Sequence, residues 1–240
     1  MLIFSELLYN RKNTFFKFSY TTFFHGLKTC YPNTMAQYLE IHPTTPQTRL
    51  IHRAIDIIRA GGVIAYPTDS AYALACHIDD KHALERIRRI RQLDEKHNFT
   101  LVCKDLAQVS SFSKINDGAF RLIKSLTPDA FTFILEATKE VPRRLQHPKK
   151  KTIGICIPKN PIAQKLLEEL GEPLFTTTLI LPPDETAITE PYDIRERLDD
   201  LIELIIDGGT IEYAPTTMID CTGNACVIVR QGKGIASILE

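Results

Sequence analysis

The 240-residue chain contains no tryptophan and only three methionines, and neither sign of charge is in excess: 29 Lys plus Arg balance 29 Asp plus Glu. Bulk attraction to nucleic acid or to an anionic membrane is therefore excluded as a whole-molecule property. No apolar run approaches the ~20 residues that a helix needs to cross a bilayer, so no membrane association is expected and a soluble, cytoplasmic protein is. There is no Gly-x-Gly-x-x-Gly, no Walker-type Gly-Lys-Thr, no Gly-x-Ser-x-Gly and no His-Glu-x-x-His. Those absences remove the dinucleotide-binding turn, the P-loop, the nucleophile elbow and the zincin helix. Cys30, Cys76, Cys103, Cys156, Cys221 and Cys226 form no Cys-x-x-Cys pair and show no metal-ligand spacing with histidine. Reduced, mostly buried thiols in a reducing compartment are the expectation.

What is present is an ordinary globular composition, 44% hydrophobic and 24% charged, in a chain long enough to bury a substantial core. The charges are not evenly spread. Arg86, Arg88, Arg89 and Arg91 cluster in one stretch, and Arg143, Arg144, Lys149 and Lys150 in another, while 184–207 is acidic. A neutral protein can thus present a positive side. Residues 1–34 stand apart: they hold nine of the twenty aromatics, a single acid (Glu6) and no sustained helical or strand period. They read as an appended extension, disordered or a mis-assigned start, and Met35 as the natural beginning of a folded domain over 35–240.

The segment Gly61-Gly62-Val63-Ile64-Ala65-Tyr66-Pro67-Thr68-Asp69-Ser70-Ala71-Tyr72-Ala73-Leu74 organises the rest. A short β-rich run ends in a Pro-Thr-Asp-Ser step and becomes apolar again, which predicts a buried strand, a polar site and a return. In open α/β sheets ligands dock beyond strand ends, where Thr68, Asp69 and Ser70 would offer two hydroxyls and a carboxylate. Ordinary turn chemistry explains the same residues equally well.

Apolar spacing predicts helices over 48–60, from Asp79 or Asp80 to Arg91, from Asn116 or Asp117 to about Leu126, from Asn160-Pro161 to Gly171, and over 191–199. In the second of these, Ala83 or Leu84, Ile87 and Ile90 face inward and the arginines outward; in the third, Phe120, Ile123 and Leu126 face inward. Strands are expected at 99–103, 131–137, 152–157 and 174–181, with a close pair at 216–221 and 226–230; 201–206 suits either a helix end or a strand. Strands and helices interleave without a linker, predicting one three-layer α/β domain with a mixed, twisted sheet.

Covalent chemistry has weak support in the sequence. Cys103 and Cys156 sit in apolar strand patterns, where an inert core thiol is the simpler reading, and His97 suits a solvated loop. Strand-end hydroxyls (Thr68, Ser70, Thr132, Thr176 to Thr178, Thr216 and Thr217) together with the basic clusters suit phosphate or carboxylate. Such a set works by positioning and charge neutralisation, without a nucleophile.

Several spaced motifs in one order resemble the YrdC-type domain of threonylcarbamoyl-adenylate synthases, most closely the YciO branch. They are the 61–74 segment, Arg89-Ile90-Arg91-Gln92-Leu93, His97-Asn98-Phe99-Thr100-Leu101, Phe131-Thr132-Phe133-Ile134-Leu135, Lys139-Glu140-Val141-Pro142-Arg143-Arg144-Leu145 and Pro215-Thr216-Thr217-Met218-Ile219-Asp220. The resemblance covers 35 to the C-terminus and implies a YrdC/RibB-like sheet whose concave positive face binds nucleotide, and double-stranded RNA or tRNA as well. It implies a reaction in which threonine, bicarbonate and ATP, with Mg, give threonylcarbamoyl-AMP and pyrophosphate on the way to threonylcarbamoyl-adenosine in tRNA. By the same resemblance Thr68, Tyr72, Arg91, His97 and Thr216 are substrate-binding, Thr132, Thr178 and Arg230 nucleotide-binding, and no residue is a catalytic nucleophile or metal ligand. Three positions depart from the family pattern: Leu93 and Cys156 stand where arginines are usual, and Ile180 where an asparagine is. The departures favour a slow synthase or, alternatively, a double-stranded RNA or nucleotide-binding protein without efficient turnover.

Overall fold

The computed structural model describes residues 35–94, 97 and 99–235; the 1–34 extension lies outside them. Strands are β1 (Gln37–Glu40), β2 (Ile64–Pro67), β3 (Tyr72–His77), β4 (Thr100–Val102), β5 (Ser113–Lys114), β6 (Phe131–Ala137), β7 (Thr152–Cys156), β8 (Leu174–Thr178), β9 (Leu204–Asp207), β10 (Thr217–Asp220) and β11 (Val227–Arg230). Helices are α1 (Thr48–Arg59), α2 (Lys81–Arg91), α3 (Leu106–Phe112), α4 (Asp117–Leu126), α5 (Pro161–Leu170) and α6 (Pro191–Leu198). The strands form one sheet in the order β1-β9-β2-β3-β8-β4-β7-β6-β10-β11, with β5 alongside β6. Pairs β1/β9, β2/β9, β4/β7 and β6/β10 are parallel and the others antiparallel, the mixed α/β sheet the sequence predicts.

Strand periodicity sorts the side chains onto two faces. Tyr72, Leu74 and Cys76 of β3 join a core shared with α2, α3, α4 and α6, whereas Ala73 and Ala75 join a second core beneath α1 and α5. The second core draws on β2, β3, β8 and β9, and on β4 only through Val102; no buried residue of β6, β7, β10 or β11 belongs to it. Helices α1 and α5 therefore roof about half of that face, and the strands beyond β4 leave the other half open.

Local signals set the ends. Asp80 caps α2 by accepting from Ala83 N (2.8 Å), and Asn160 caps α5 by accepting from Ile162 N and Ala163 N, with Pro161 at the first turn and Gly171 closing it at φ +79°. The 201–206 segment resolves as strand β9. Among the described residues no helix is long and apolar enough to cross a membrane.

Three expectations are corrected. The arginines of α2 do not all face solvent: Arg91 is buried, Arg86 bonds Glu203 at 2.7 and 2.9 Å, and Arg88 lies 4.8 Å above the Phe99 ring. Position 91 falls one turn after Ile87 on the buried stripe. On α4, Ala119, Leu122 and Ile123 turn inward and Phe120 is exposed. Short elements β1, α3 and β5 lay below the length at which periodicity speaks. Finally, Cys221 and Cys226 are joined in a disulfide, while Cys76, Cys103 and Cys156 are free.

Candidate functional site

A cavity of about 260 Å³ opens on the uncovered half of the sheet face. Its floor crosses the strands in register: Ala73 of β3 sits opposite Thr178 of β8, Thr176 opposite Thr100 of β4, and Thr100 opposite Gly154 of β7. Thr132 of β6 sits opposite Met218 of β10, which pairs with Arg230 of β11. Threonine suits these positions because its branched carbon fits a strand while its hydroxyl faces the hollow. Gly154 is required where it stands: a Cβ there would lie 2.9 Å from Thr100 Oγ1 and 3.0 Å from the Phe99 carbonyl. The cavity takes in the strand-end residues Thr68, Asp69 and Ser70 and extends from them over the face of the sheet.

The structure brings Thr68, Arg91, His97, Thr132, Thr178, Thr216 and Arg230 to this one cavity. Tyr72 is not there. It is fully buried, with its hydroxyl donating to Gly209 O (2.7 Å) and accepting from Gly208 N (3.1 Å), so it holds the start of the 208–216 loop. That loop brings Tyr213, Pro215 and Thr216 to the rim.

Thr68 is largely committed to its own turn. Its hydroxyl donates to Ala71 O (2.6 Å) and accepts from Ser70 N and Ala71 N, which leaves Ser70 Oγ, 3.3 Å away, as the freer hydroxyl. Turn and site are the same residues. Asp69 accepts from Lys159 N (2.8 Å), while Lys233 Nζ donates to the Asp69 carbonyl. Burial, against these amide bonds, raises the Asp69 carboxyl above its usual range.

Arg91 is the unusual group. It is only 9% exposed, donates Nη1 to the Ile180 carbonyl, has a buried Nε with no partner, and forms no ion pair among the described residues. Burial lowers its pKa. A buried guanidinium without a counter-ion is costly unless an anion completes it. His97, against Phe99 at 5.5 Å, has its pKa lowered by burial first and by the Arg91 charge second. At the opposite wall Arg230 donates Nη2 to Thr216 O (2.9 Å), and Thr216 Oγ1 lies 2.8 Å from Thr132 Oγ1.

Cys156 lines the cavity, but burial pushes its thiol up to about 12, so a thiolate nucleophile is not prepared there. Among the described residues no group of three or more His, Cys, Asp or Glu is placed to hold a metal ion. Sequence reasoning passed over Asp129 and Tyr213, both on the lining. The only signal for them was position: Asp129 follows Thr127-Pro128 before β6, and Tyr213 precedes Pro215-Thr216 before β10.

Comparison with known proteins agrees with this architecture. A family model described as Sua5/YciO/YrdC, telomere recombination, matches residues 56–232. YciO of Escherichia coli K12 is 55% identical over 200 residues, 83% of this chain and 97% of that protein. The crystal structure of E. coli YciO superposes with a TM-score of 0.82 at 53% identity, covering 86% of this chain and all of that one. Threonylcarbamoyl-AMP synthase of Vibrio cholerae is 24% identical over 76% of this chain and 97% of its own length. P. abyssi Sua5, crystallised with L-threonine, matches with a TM-score of 0.76 at 25% identity over 82% of this chain and 58% of that one. With the family model spanning most of the folded part and a relative of this identity matched almost end to end, the chain belongs to the Sua5/YciO/YrdC family.

Proposed function

We propose that the cavity binds ATP and threonine and that the protein is a threonylcarbamoyl-AMP synthase of low turnover, converting threonine, bicarbonate and ATP to threonylcarbamoyl-AMP and pyrophosphate in the cytoplasm. One observation carries this: Arg91 is buried at a hydroxyl-lined hollow and forms no ion pair among the described residues. Such a guanidinium is completed by a carboxylate or phosphate from a ligand. On this reading Thr132, Thr178, Thr216 and Arg230 face the nucleotide, while Arg91, His97 and Ser70 face the amino acid. Tyr72 acts from behind, through the 208–216 loop.

The residues act by alignment. Arg91 and Arg230 offset charge between anionic reactants, and the threonine hydroxyls supply directional hydrogen bonds. Magnesium borne on the triphosphate would reduce its charge. A phosphate-borne ion fits the donors present, because Asp69 and Asp129 line the cavity and magnesium needs only one or two carboxylates beside phosphate oxygens and water. Low turnover follows from Cys156 and Ile180, which line the hollow where the family pattern has arginine and asparagine.

The test is incubation of the purified chain with labelled threonine, bicarbonate, ATP and magnesium. Pyrophosphate release that requires both threonine and bicarbonate is expected; none above a boiled control rejects synthase activity. A second reading, binding of double-stranded RNA or tRNA without turnover, is favoured by Arg143, Lys149 and Lys150, which are exposed and have no ion-pair partner among the described residues. Its test is a salt titration, since phosphate contacts release counterions. Absence of binding at low salt, or binding without a salt slope, removes it.

A further inference from the structure

We propose that Cys221 and Cys226 form a dithiol–disulfide switch that sets the order of edge strand β11 and, through it, the position of Arg230 at the cavity. The two cysteines follow and precede the last paired residues of the hairpin, Asp220 and Val227, and their disulfide closes its loop with Cα atoms 4.3 Å apart. Within the sheet β11 is held from one side only, while the chain after it is tied back: Gly232 N donates to Thr217 Oγ1 (2.9 Å), Thr217 Oγ1 to Gly234 O (2.6 Å) and Lys233 N to Pro215 O (2.8 Å). The strand pairs with β10 alone, the register breaks between Met218 and Ile219, and Val227 and Val229 are 55% and 51% exposed. A four-residue edge strand paired on one side depends on what closes its two ends, here the disulfide at the hairpin and the 232–234 bonds beyond Arg230. Its last residue, Arg230, is the one whose guanidinium donates to Thr216 O, next to the Thr216–Thr132 hydroxyl pair in the cavity.

The remaining described cysteines cannot take this part. Cys76 and Cys103 are buried, Cys156 is partly buried on the cavity wall, and burial raises all three thiols. Cys226 is the more accessible member of the pair, with Cys221 only 5% exposed. Oxidation needs a small disulfide such as oxidised glutathione. The Cys226 thiolate attacks one of its sulfurs and expels one glutathione thiolate. The Cys221 thiolate then attacks the mixed disulfide and expels the second. Two protons and two electrons leave the cysteine pair, and the oxidant becomes two thiols.

The strand effect stands independently; the binding effect rests on the function proposed above. The full chain is equilibrated anaerobically over a series of reduced-to-oxidised glutathione ratios, and the free thiols are counted by alkylation and mass. Amide exchange of 227–233 and the dissociation constant for ATP are then measured in the oxidised and reduced forms. Reversible loss of two thiols is expected, assigned to Cys221 and Cys226 by peptide mapping. In the reduced form exchange at 227–230 rises at least threefold and ATP affinity falls at least threefold. Cys226→Ser should match the reduced form and ignore the glutathione ratio. Thiols that stay open throughout overturn the proposal, as does equal exchange in the two forms, or equal ATP affinity. A protein that binds no ATP in either form overturns the function above, and the switch then stands or falls on the exchange rates.

Discussion

The hydroxyls of Thr132 and Thr216 lie 2.8 Å apart and share one hydrogen bond, joining β6 to the chain entering β10 on the floor of the cavity. Thr132 is 7% exposed, and Thr216 also receives Arg230 through its carbonyl. Thr132→Val keeps the shape and removes the bond. It should cost about 1 kcal/mol, lowering Tm by about 2–4 °C in a chain of this size. On the function proposed above, ATP affinity should fall more steeply than stability, because the hydroxyl assigned to the nucleotide is lost and Thr216, which receives Arg230 through its carbonyl, loses its partner across the floor. Calorimetric melting and isothermal titration on the same preparation separate the two; unchanged binding would place the nucleotide elsewhere.

Arg91 tests the site most directly. Replacing an arginine of a buried ion pair strands its carboxylate and costs about 3–5 kcal/mol. Arg91 has no such partner among the described residues, so Arg91→Met loses only the bond to the Ile180 carbonyl and should cost about 1–3 kcal/mol. Ligand affinity should fall by about one to two decades, the worth of a charge-assisted bond. A large loss of stability with binding retained would make Arg91 a structural residue.

These residues also mark how far the sequence was legible. Asn160-Pro161 and Gly171 bounded α5 because capping is local chemistry. Thr176 and Thr178 were readable as strand hydroxyls, since alternation alone puts both on one face. Arg91 was misread because a charged side chain is placed outward by default, and its burial is decided by Ile180, 89 positions away in the chain. Phe120 was misread because 119-122-123 and 120-123 are both helical spacings, and only the sheet chooses between them. The disulfide depended on hairpin register, which Cys221 and Cys226 do not disclose by spacing.

The pH response follows from His97. Burial and the Arg91 charge lower its folded-state pKa below the ordinary 6.5, while the unfolded chain protonates normally. Between the two values the unfolded state binds more protons, so the contribution is present in full above about pH 6.5 and is lost as pH falls toward the folded value. Chemical denaturation at stepped pH should show His97→Gln losing less stability than the parent below pH 6.5. Parallel profiles would assign the acid sensitivity to other groups.

Tyr72 separates direct contact from positioning. Its hydroxyl donates to Gly209 O at 2.7 Å and accepts from Gly208 N at 3.1 Å. Gly208 is pressed so closely on β2 and α5 that a Cβ would lie 2.8 Å from Pro67 and 2.7 Å from Ile162, and Gly209 sits at φ +89°. The turn therefore admits little adjustment once the hydroxyl is gone. Tyr72→Phe leaves a donor and an acceptor unpaired, which costs about 1–3 kcal/mol. The 208–216 loop carries Tyr213, Pro215 and Thr216 at the cavity rim, so ligand affinity should fall in step with faster amide exchange at 208–210. Weaker binding without faster exchange would mean that the Tyr72 hydroxyl touches the ligand itself, as the resemblance of its motif implies. Faster exchange with binding intact would show that the loop is dispensable to the site.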